Sequence, residues 1–265
     1  MKVAAQKPQG VMEVKAARDL IGKTALITGG TRGIGLAIAQ GLAERGANII
    51  INYFRSRDAA NEALDSIKEH KVECYAHRAN IGNHDQIPPI FEKIKERFGK
   101  LDILISNAAL GIFTSAMGID DKAWHLSMNT NTQALLLCVQ NAVKIMPDNS
   151  RIVSLSSLGS IRYIPGYAAI GVSKAAIENL TRYLSYELAP RRITVNCVSG
   201  GFIDTGALRS FPNYQDLIDE VVRRTPFDRI GTPKEVADVV VFLAGPKASW
   251  ITGQTIIVDG GYSLA

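Results

Sequence analysis

From Lys23 onward, short runs of apolar and β-branched residues alternate with longer stretches whose apolar positions recur at helical spacing. Seven runs read as strands: TALIT (24–28), NIIINY (48–53), VECYAH (72–77), DILIS (102–106), RIVSLS (151–156), ITVNCV (193–198) and TIIVDG (255–260). Their near-continuous apolar character, rather than strict alternation, is that of strands buried on both faces. IGLAIAQGLAERG (34–46) reads as the helix after the first strand, closed by Gly46. Further helices are predicted near 57–70, 88–98, 121–146, 167–189 and 233–244. This alternation predicts an α/β fold, a single doubly wound parallel sheet of about seven strands with helices on both faces. Residues 206–228 break the rhythm with mixed helical and loop signals. Beyond the carboxyl end of a strand, such an insertion is expected to cover a ligand crevice. The expected organisation is an N-terminal tail over 1–22 and a single domain over 23–265.

Composition narrows the class. Hydrophobic residues make up 46 % of the 265 and are spread throughout, enough for one core. No run of about 18 apolar residues predicts a membrane span. The N-terminal stretch MKVAAQKPQGVMEVKAARD has no apolar signal core, so a cytoplasmic protein is expected; the stretch reads as a loose tail or else an amphipathic first helix. Cys74, Cys138 and Cys197 stand singly in apolar surroundings and are expected to be buried, reduced thiols; no spacing predicts a metal site. The net charge of +5 comes from basic residues scattered among acids, which argues against nucleic acid and leaves an acidic partner open.

The chemistry begins in ALITGGTRGIGLAIA, where Gly29, Gly33 and Gly35 occupy the turn between the first strand and helix. Glycines let a backbone approach a pyrophosphate closely, and the helix N-terminus offers free N–H groups to its charge. After the second strand, INYFRSRD presents Asn52, Arg55 and Ser56 but no acid until Asp58. An NAD site wants an acid there for the ribose 2′-hydroxyl. Arg55, Ser56 and Arg32 of the glycine turn suit a 2′-phosphate instead, so NADPH is the expected cofactor.

Four further motifs follow in order: SNAA (106–109), WHLSMNTN (124–131), IVSLSSLGS (152–160) and VSGGFIDT (198–205). Together with TGGTRGIG they resemble the short-chain dehydrogenase/reductase family over nearly everything after residue 22. The resemblance implies a Rossmann fold that binds a dinucleotide and a catalytic set of Tyr167, Lys174, Ser157 and Asn131. It places the cofactor against Gly29, Thr31, Arg32, Gly33, Ile34, Gly35, Arg55, Ser56, Asn80, Ile81, Asn107, Ala108, Lys174, Gly201, Ile203 and Thr205. It also implies a homo-oligomer, a tetramer. Gly200 stands where the family usually has proline, and Asn80 where it usually has an acid.

GYAAIGVSK (166–174) carries the distinguishing feature. Four residues before Lys174, where a ketone-reducing member has its tyrosine, the chain has Ile170; the nearest upstream phenol is Tyr167, seven before. This spacing resembles the enoyl-acyl-carrier-protein reductases, and the surrounding string resembles their NADPH-dependent, FabL-like form. That implies reduction of the C2=C3 double bond of trans-2-enoyl thioesters held on an acidic acyl carrier protein, in fatty-acid or polyketide-type synthesis. Tyr167 would hydrogen-bond the enolate oxygen, Lys174 would hold the nicotinamide ribose, and Ser157 would line the pocket.

Elementary chemistry supports the shift. In a ketone the hydride target and the oxygen that gains charge are bonded; in an enoyl thioester the oxygen lies two carbons beyond the target, so its stabiliser must move. On a regular helix of about 1.5 Å rise per residue, the change from four to seven displaces the origin of the side chain by roughly 4.5 Å. Tyr163 is a second candidate phenol on a predicted loop. The alternatives are a 3-oxoacyl thioester ketoreductase or other short-chain alcohol dehydrogenase, and a nucleotide-binding regulator without catalysis. For docking the carrier, Arg209, Arg223 and Arg224 are the cations in the insertion, beside Asp216, Asp219 and Glu220.

Overall fold

A computed structural model describes residues 18–211 and 214–264. Seven strands, β1 (Thr24–Thr28), β2 (Asn48–Tyr53), β3 (Cys74–Arg78), β4 (Ile103–Ser106), β5 (Arg151–Ser157), β6 (Thr194–Gly200) and β7 (Thr255–Val258), form one sheet in the order β3-β2-β1-β4-β5-β6-β7. Every pairing is parallel. The helices are α1 (Gly33–Glu44), α2 (Arg57–Lys68), α3 (Pro88–Phe98), α4 (Asp121–Ser127), α5 (Ala134–Ala142), α6 (Ala168–Leu188), α7 (Tyr214–Arg224) and α8 (Pro233–Leu243).

Alternate strand residues feed two separate cores. Ala25, Ile27, Ile49, Ile51, Ile105 and Val153 pack under α1, α2 and α8. Leu26, Ile50, Leu104, Ile152 and Val195 face α3, α5 and α6 on the other side. Both side-chain rows are buried, which is why the strands read as continuous apolar runs. Gly41 lets α1 and α8 cross closely: a Cβ there would lie 2.9 Å from Val241 Cγ2. The strand order reverses at β1, with β2 on one side and β4 on the other, and this opens a crevice at their carboxyl ends.

The structure departs from the sequence expectations at several points. The helix predicted over 121–146 stops at Ala142 and is interrupted by a π-helical turn, Met128–Gln133. The helix predicted from 167 begins at Ala168, with Tyr167 outside it as the N-cap. At the chain's start, Leu20 is only 3 % exposed and Asp19 pairs with Arg45, so the end of the expected tail packs onto the domain. Residues 1–17, the rest of that tail, lie outside the described residues. The 206–228 segment holds a short 3-10 turn and α7, which buries Val221. Cys138 and Cys197 are buried free thiols, whereas Cys74 is half-buried. Among the described residues, no helix is long and apolar enough to cross a membrane.

Candidate active site

The crevice floor is built by short polar side chains. Thr28 Oγ1 accepts the N–H groups of Asn107 and Ala108, both at 3.0 Å. Asn107 Nδ2 donates to the carbonyls of Thr28 (2.9 Å) and Gly29 (3.1 Å). These bonds tie β1 to β4 where the sheet order reverses. Above them the glycine turn is forced: Gly29 and Gly33 have φ of +65° and +54°, and a Cβ on Gly35 would lie 2.3 Å from Gly29 O. Gly30, which the spacing argument passed over, packs against Ile51, where a Cβ would come within 2.6 Å of Cγ2.

The turn fits a dinucleotide pyrophosphate. Helices α2, α4 and α8 are capped by the side chains of Ser56, Asp120 and Thr232, but α1 has no side-chain cap. The first N–H groups of α1, at Gly33, Ile34 and Gly35, therefore remain available to an anion, beside the half-buried Thr31. Thr205 from the loop after β6 reaches the same turn, with its Cγ2 3.5 Å from the position of a Gly33 Cβ. Gly201 fits beneath it against Asp259, and Ile203 is buried. Arg32 and Arg55 are exposed and form no ion pair among the described residues.

Other polar residues near this end have structural partners. Ser56 Oγ accepts the Ala59 N–H (3.1 Å) as the cap of α2. Asn52 is buried and donates to Ala79 O (2.9 Å), which ties β2 to the end of β3. Asn80 Oδ1 accepts the Gly82 N–H (3.1 Å) in a turn that precedes α3, and Ile81 is buried.

Across the crevice, Ser157 ends β5 opposite Gly200 of β6. Its Oγ donates to the phenol oxygen of Tyr167 at 3.3 Å. Tyr167 reaches there from the N-cap of α6, after a left-handed Gly166 (φ +69°) whose carbonyl accepts the Thr114 N–H (2.7 Å). Tyr167 has non-helical dihedrals (φ −103°, ψ 10°), but its carbonyl still accepts the Gly171 N–H at 2.7 Å, so the residue sits at the very start of the helix. The tyrosine ring fits over Gly159: a Cβ there would lie 2.4 Å from its Cδ1. Phe211 stacks on the other side at 5.9 Å between centroids, Phe113 is 6.0 Å away, and the two phenylalanines meet at 4.4 Å. Burial pushes the Tyr167 phenol above its ordinary range, and the Ser157 bond opposes the rise. A cleft of about 230 Å³ opens beside this ring, along Ser115, Gly166 and Val172.

Ile170 holds the position where a ketone-reducing tyrosine would stand. It is buried against the loop after β4, and a Cβ on Gly111 would lie 2.2 Å from its Cγ1. Lys174 is also buried, at 5 % exposure, with Nζ donating to Leu155 O at 2.8 Å. Burial pushes this lysine down to about 8, while Cys197 and Glu178 pull in the opposite direction. Asn131 sits in the π-helical turn; its Oδ1 accepts the Leu110 N–H (2.9 Å) and its Nδ2 donates to Ser173 Oγ (2.8 Å). It thus joins the loop after β4 to α6 beside Lys174. Such wide turns recur at functional sites because they re-aim one or two side chains.

Tyr163 is 88 % exposed and lines the outer side of the same cleft, whereas the phenol that meets Ser157 is that of Tyr167. Two of the three docking arginines are engaged elsewhere. Arg209 pairs with Asp204 (2.9 Å), and Arg224 approaches Glu220 (3.5 Å) with its guanidinium 5.1 Å from the Tyr262 ring centroid. Residues that the sequence reading missed are Phe113, Phe211, Gly159 and Glu178. Only Glu178 left a trace in the sequence: an acid four residues after Lys174, on the same helical face.

Comparisons with known proteins agree with this architecture. The family described as "Enoyl-(Acyl carrier protein) reductase" matches residues 29–263. The 1-cyclohexenylcarbonyl-CoA reductase of Streptomyces collinus is 39 % identical over 244 residues, which span 91 % of this chain and 87 % of that protein. The 3-oxoacyl-[acyl-carrier-protein] reductase FabG of Staphylococcus epidermidis is 36 % identical, over 90 % of this chain and 98 % of that one. A short chain dehydrogenase from Burkholderia cenocepacia, solved in complex with NADP, superposes with a TM-score of 0.87 at 32 % identity and covers 92 % of this chain and 99 % of that one. With the seven-stranded parallel sheet, the glycine turn and the Ser157–Tyr167 pair, these matches show that the chain belongs to the short-chain dehydrogenase/reductase family of oxidoreductases.

Proposed function

We propose that this oxidoreductase uses NADPH to reduce the C2=C3 double bond of a trans-2-enoyl thioester. One observation carries the reading: the phenol that meets Ser157 is Tyr167, while Ile170 fills the position from which a ketone-reducing tyrosine would act. The cofactor is NADPH. Arg32 of the glycine turn and Arg55 after β2 form no ion pair among the described residues, and the chain has no acid after β2 until Asp58. The uncapped start of α1 would hold the pyrophosphate, and Lys174 would hold the nicotinamide ribose. When bound, NADPH supplies the hydride.

The chain's own residues handle the charge that develops on the substrate. Ser157 donates to Tyr167, so the phenol's own proton is free for the thioester oxygen as that oxygen becomes an enolate oxygen. Phe113 and Phe211 cover the ring and exclude water, which strengthens that hydrogen bond. Asn131 keeps the loop after β4 and α6 in register around the pair. The family description favours a thioester on an acyl carrier protein, whereas the Streptomyces relative is named for a coenzyme A thioester whose double bond is conjugated to the carbonyl.

A 3-oxoacyl thioester ketoreductase is the second reading, favoured by the FabG relative and by the retention of Ser157 and Lys174. Steady-state oxidation of NADPH with crotonyl and acetoacetyl thioesters, each on acyl carrier protein and on coenzyme A, separates the two. The enoyl reading requires crotonyl thioester to have the larger kcat/KM; preference for the acetoacetyl thioester supports the ketoreductase.

A further inference from the structure

Glu178 lies one helical turn beyond Lys174 and is only 7 % exposed. A buried carboxylate demands partners. Here they are two hydroxyls: Ser156 Oγ and Ser160 Oγ both donate to Oε1, each at 2.5 Å. Ser156 is the penultimate residue of strand β5, and Ser160 closes the 3-10 turn Leu158–Ser160. Between them lie Ser157, which donates to Tyr167, and Gly159, which carries the tyrosine ring. One carboxylate therefore closes both ends of the segment that positions the phenol.

The same group acts on Lys174. The lysine's Nζ has a neutral partner, Leu155 O, and no carboxylate within ion-pair distance among the described residues. The titratable groups that act on it are the Cys197 thiol on β6 and Glu178 on its own helix. Both oppose the effect of burial, Cys197 more than Glu178.

We propose that Glu178 is a positioning residue: it clamps the turn after β5 through Ser156 and Ser160, and it places a carboxylate one helical turn from Lys174. The inference rests on the proposed roles of Tyr167 and Lys174. Two variants separate its halves. Glu178→Gln keeps an oxygen that accepts both hydroxyls but removes the charge. The double variant Ser156→Ala/Ser160→Ala keeps the charge but releases the turn.

The test measures NADPH affinity by fluorescence, and kcat/KM for the thioester that is turned over, from neutral to alkaline pH. Loss of a nearby negative charge disfavours the ammonium form. In Glu178→Gln, the alkaline fall in NADPH affinity and in kcat/KM should therefore move to lower pH than in the wild type. The double serine variant should keep the wild-type pH profile of NADPH binding while kcat drops about tenfold or more, as a displaced donor would cause. Should the double variant fail to fold, Ser160→Ala alone serves, and the Glu178→Gln profile still decides the charge. A Glu178→Gln profile that coincides with the wild type, together with an unchanged kcat in the serine variants, overturns the proposal. The binding profile does not depend on which thioester is reduced, so failure of the enoyl reading is distinguished from failure of this one.

Discussion

In the proposed reaction, Tyr167 is the residue on which the chemistry turns. Replacing it with phenylalanine removes one donor to the developing oxyanion, and kcat should fall by about 10²-fold or more, or roughly 2.7 kcal/mol, with NADPH affinity unchanged. Stopped-flow or steady-state assays with crotonyl thioester check this. Near-normal turnover would remove the phenol from the mechanism. The pH dependence has its own sign. A lysine held near 8 loses its ammonium form as pH rises through that value, so NADPH binding and kcat/KM should decline there. Tyr167 is pushed above its ordinary range and adds any decline of its own at higher pH. The spacing of residues 167 and 174 was legible in the chain, as was the apolar Ile170. Gly159 was not: its reason lies in a ring that arrives from eight residues away, and no local pattern records that contact. Glu178 was visible as an acid on an apolar helix face, but its serine partners belong to another element.

At the scale of elements, strands and helices followed from periodicity because both faces of the sheet are buried and the glycine and proline stops lie close to the true ends. The π-helical turn was hidden, since one widened turn scarcely changes the apolar pattern over 121–146, yet it is what brings Asn131 between Leu110 and Ser173. Asn131→Ala would leave the Leu110 N–H without its acceptor and Ser173 Oγ without its donor. Thermal or denaturant unfolding should show a loss of about 1–3 kcal/mol. The glycine turn is less forgiving. In Gly35→Ala the new methyl would lie 2.3 Å from Gly29 O and 2.5 Å from Asn107 Nδ2, so the turn must open. NADPH affinity should collapse in fluorescence titrations even where the protein still folds. Retained affinity would mean that the pyrophosphate does not sit on this turn.

For the whole molecule, the doubly wound topology puts Arg32 after β1 and Arg55 after β2, and Ser157 and Tyr167 at the carboxyl end of β5 and the start of α6, so the proposed cofactor-charge and reacting groups lie on different elements. Cofactor preference is thus a separate property. Neutralising Arg32 and Arg55 together should erode the preference for NADPH over NADH in kcat/KM while leaving the choice of thioester alone. A basic mouth for a carrier was an expectation that the chain's charges alone could not decide. The net charge of +5 and the three arginines of the insertion pointed to a basic mouth, but side-chain pairing is a tertiary fact, and Arg209 and Arg224 face Asp204 and Glu220.

The central claim is that the hydride enters C3 of an enoyl thioester while Tyr167 holds the oxygen at C1. It is tested most directly by giving the enzyme NADPH that carries deuterium at the transferable position, with crotonyl thioester, and locating the label in the product by NMR. The account predicts a butyryl thioester with one deuterium at C3 and none at C2, formed far more slowly by Tyr167→Phe. No labelled butyryl product, with label appearing instead at the carbinol carbon of 3-hydroxybutyryl thioester made from the acetoacetyl substrate, would contradict it.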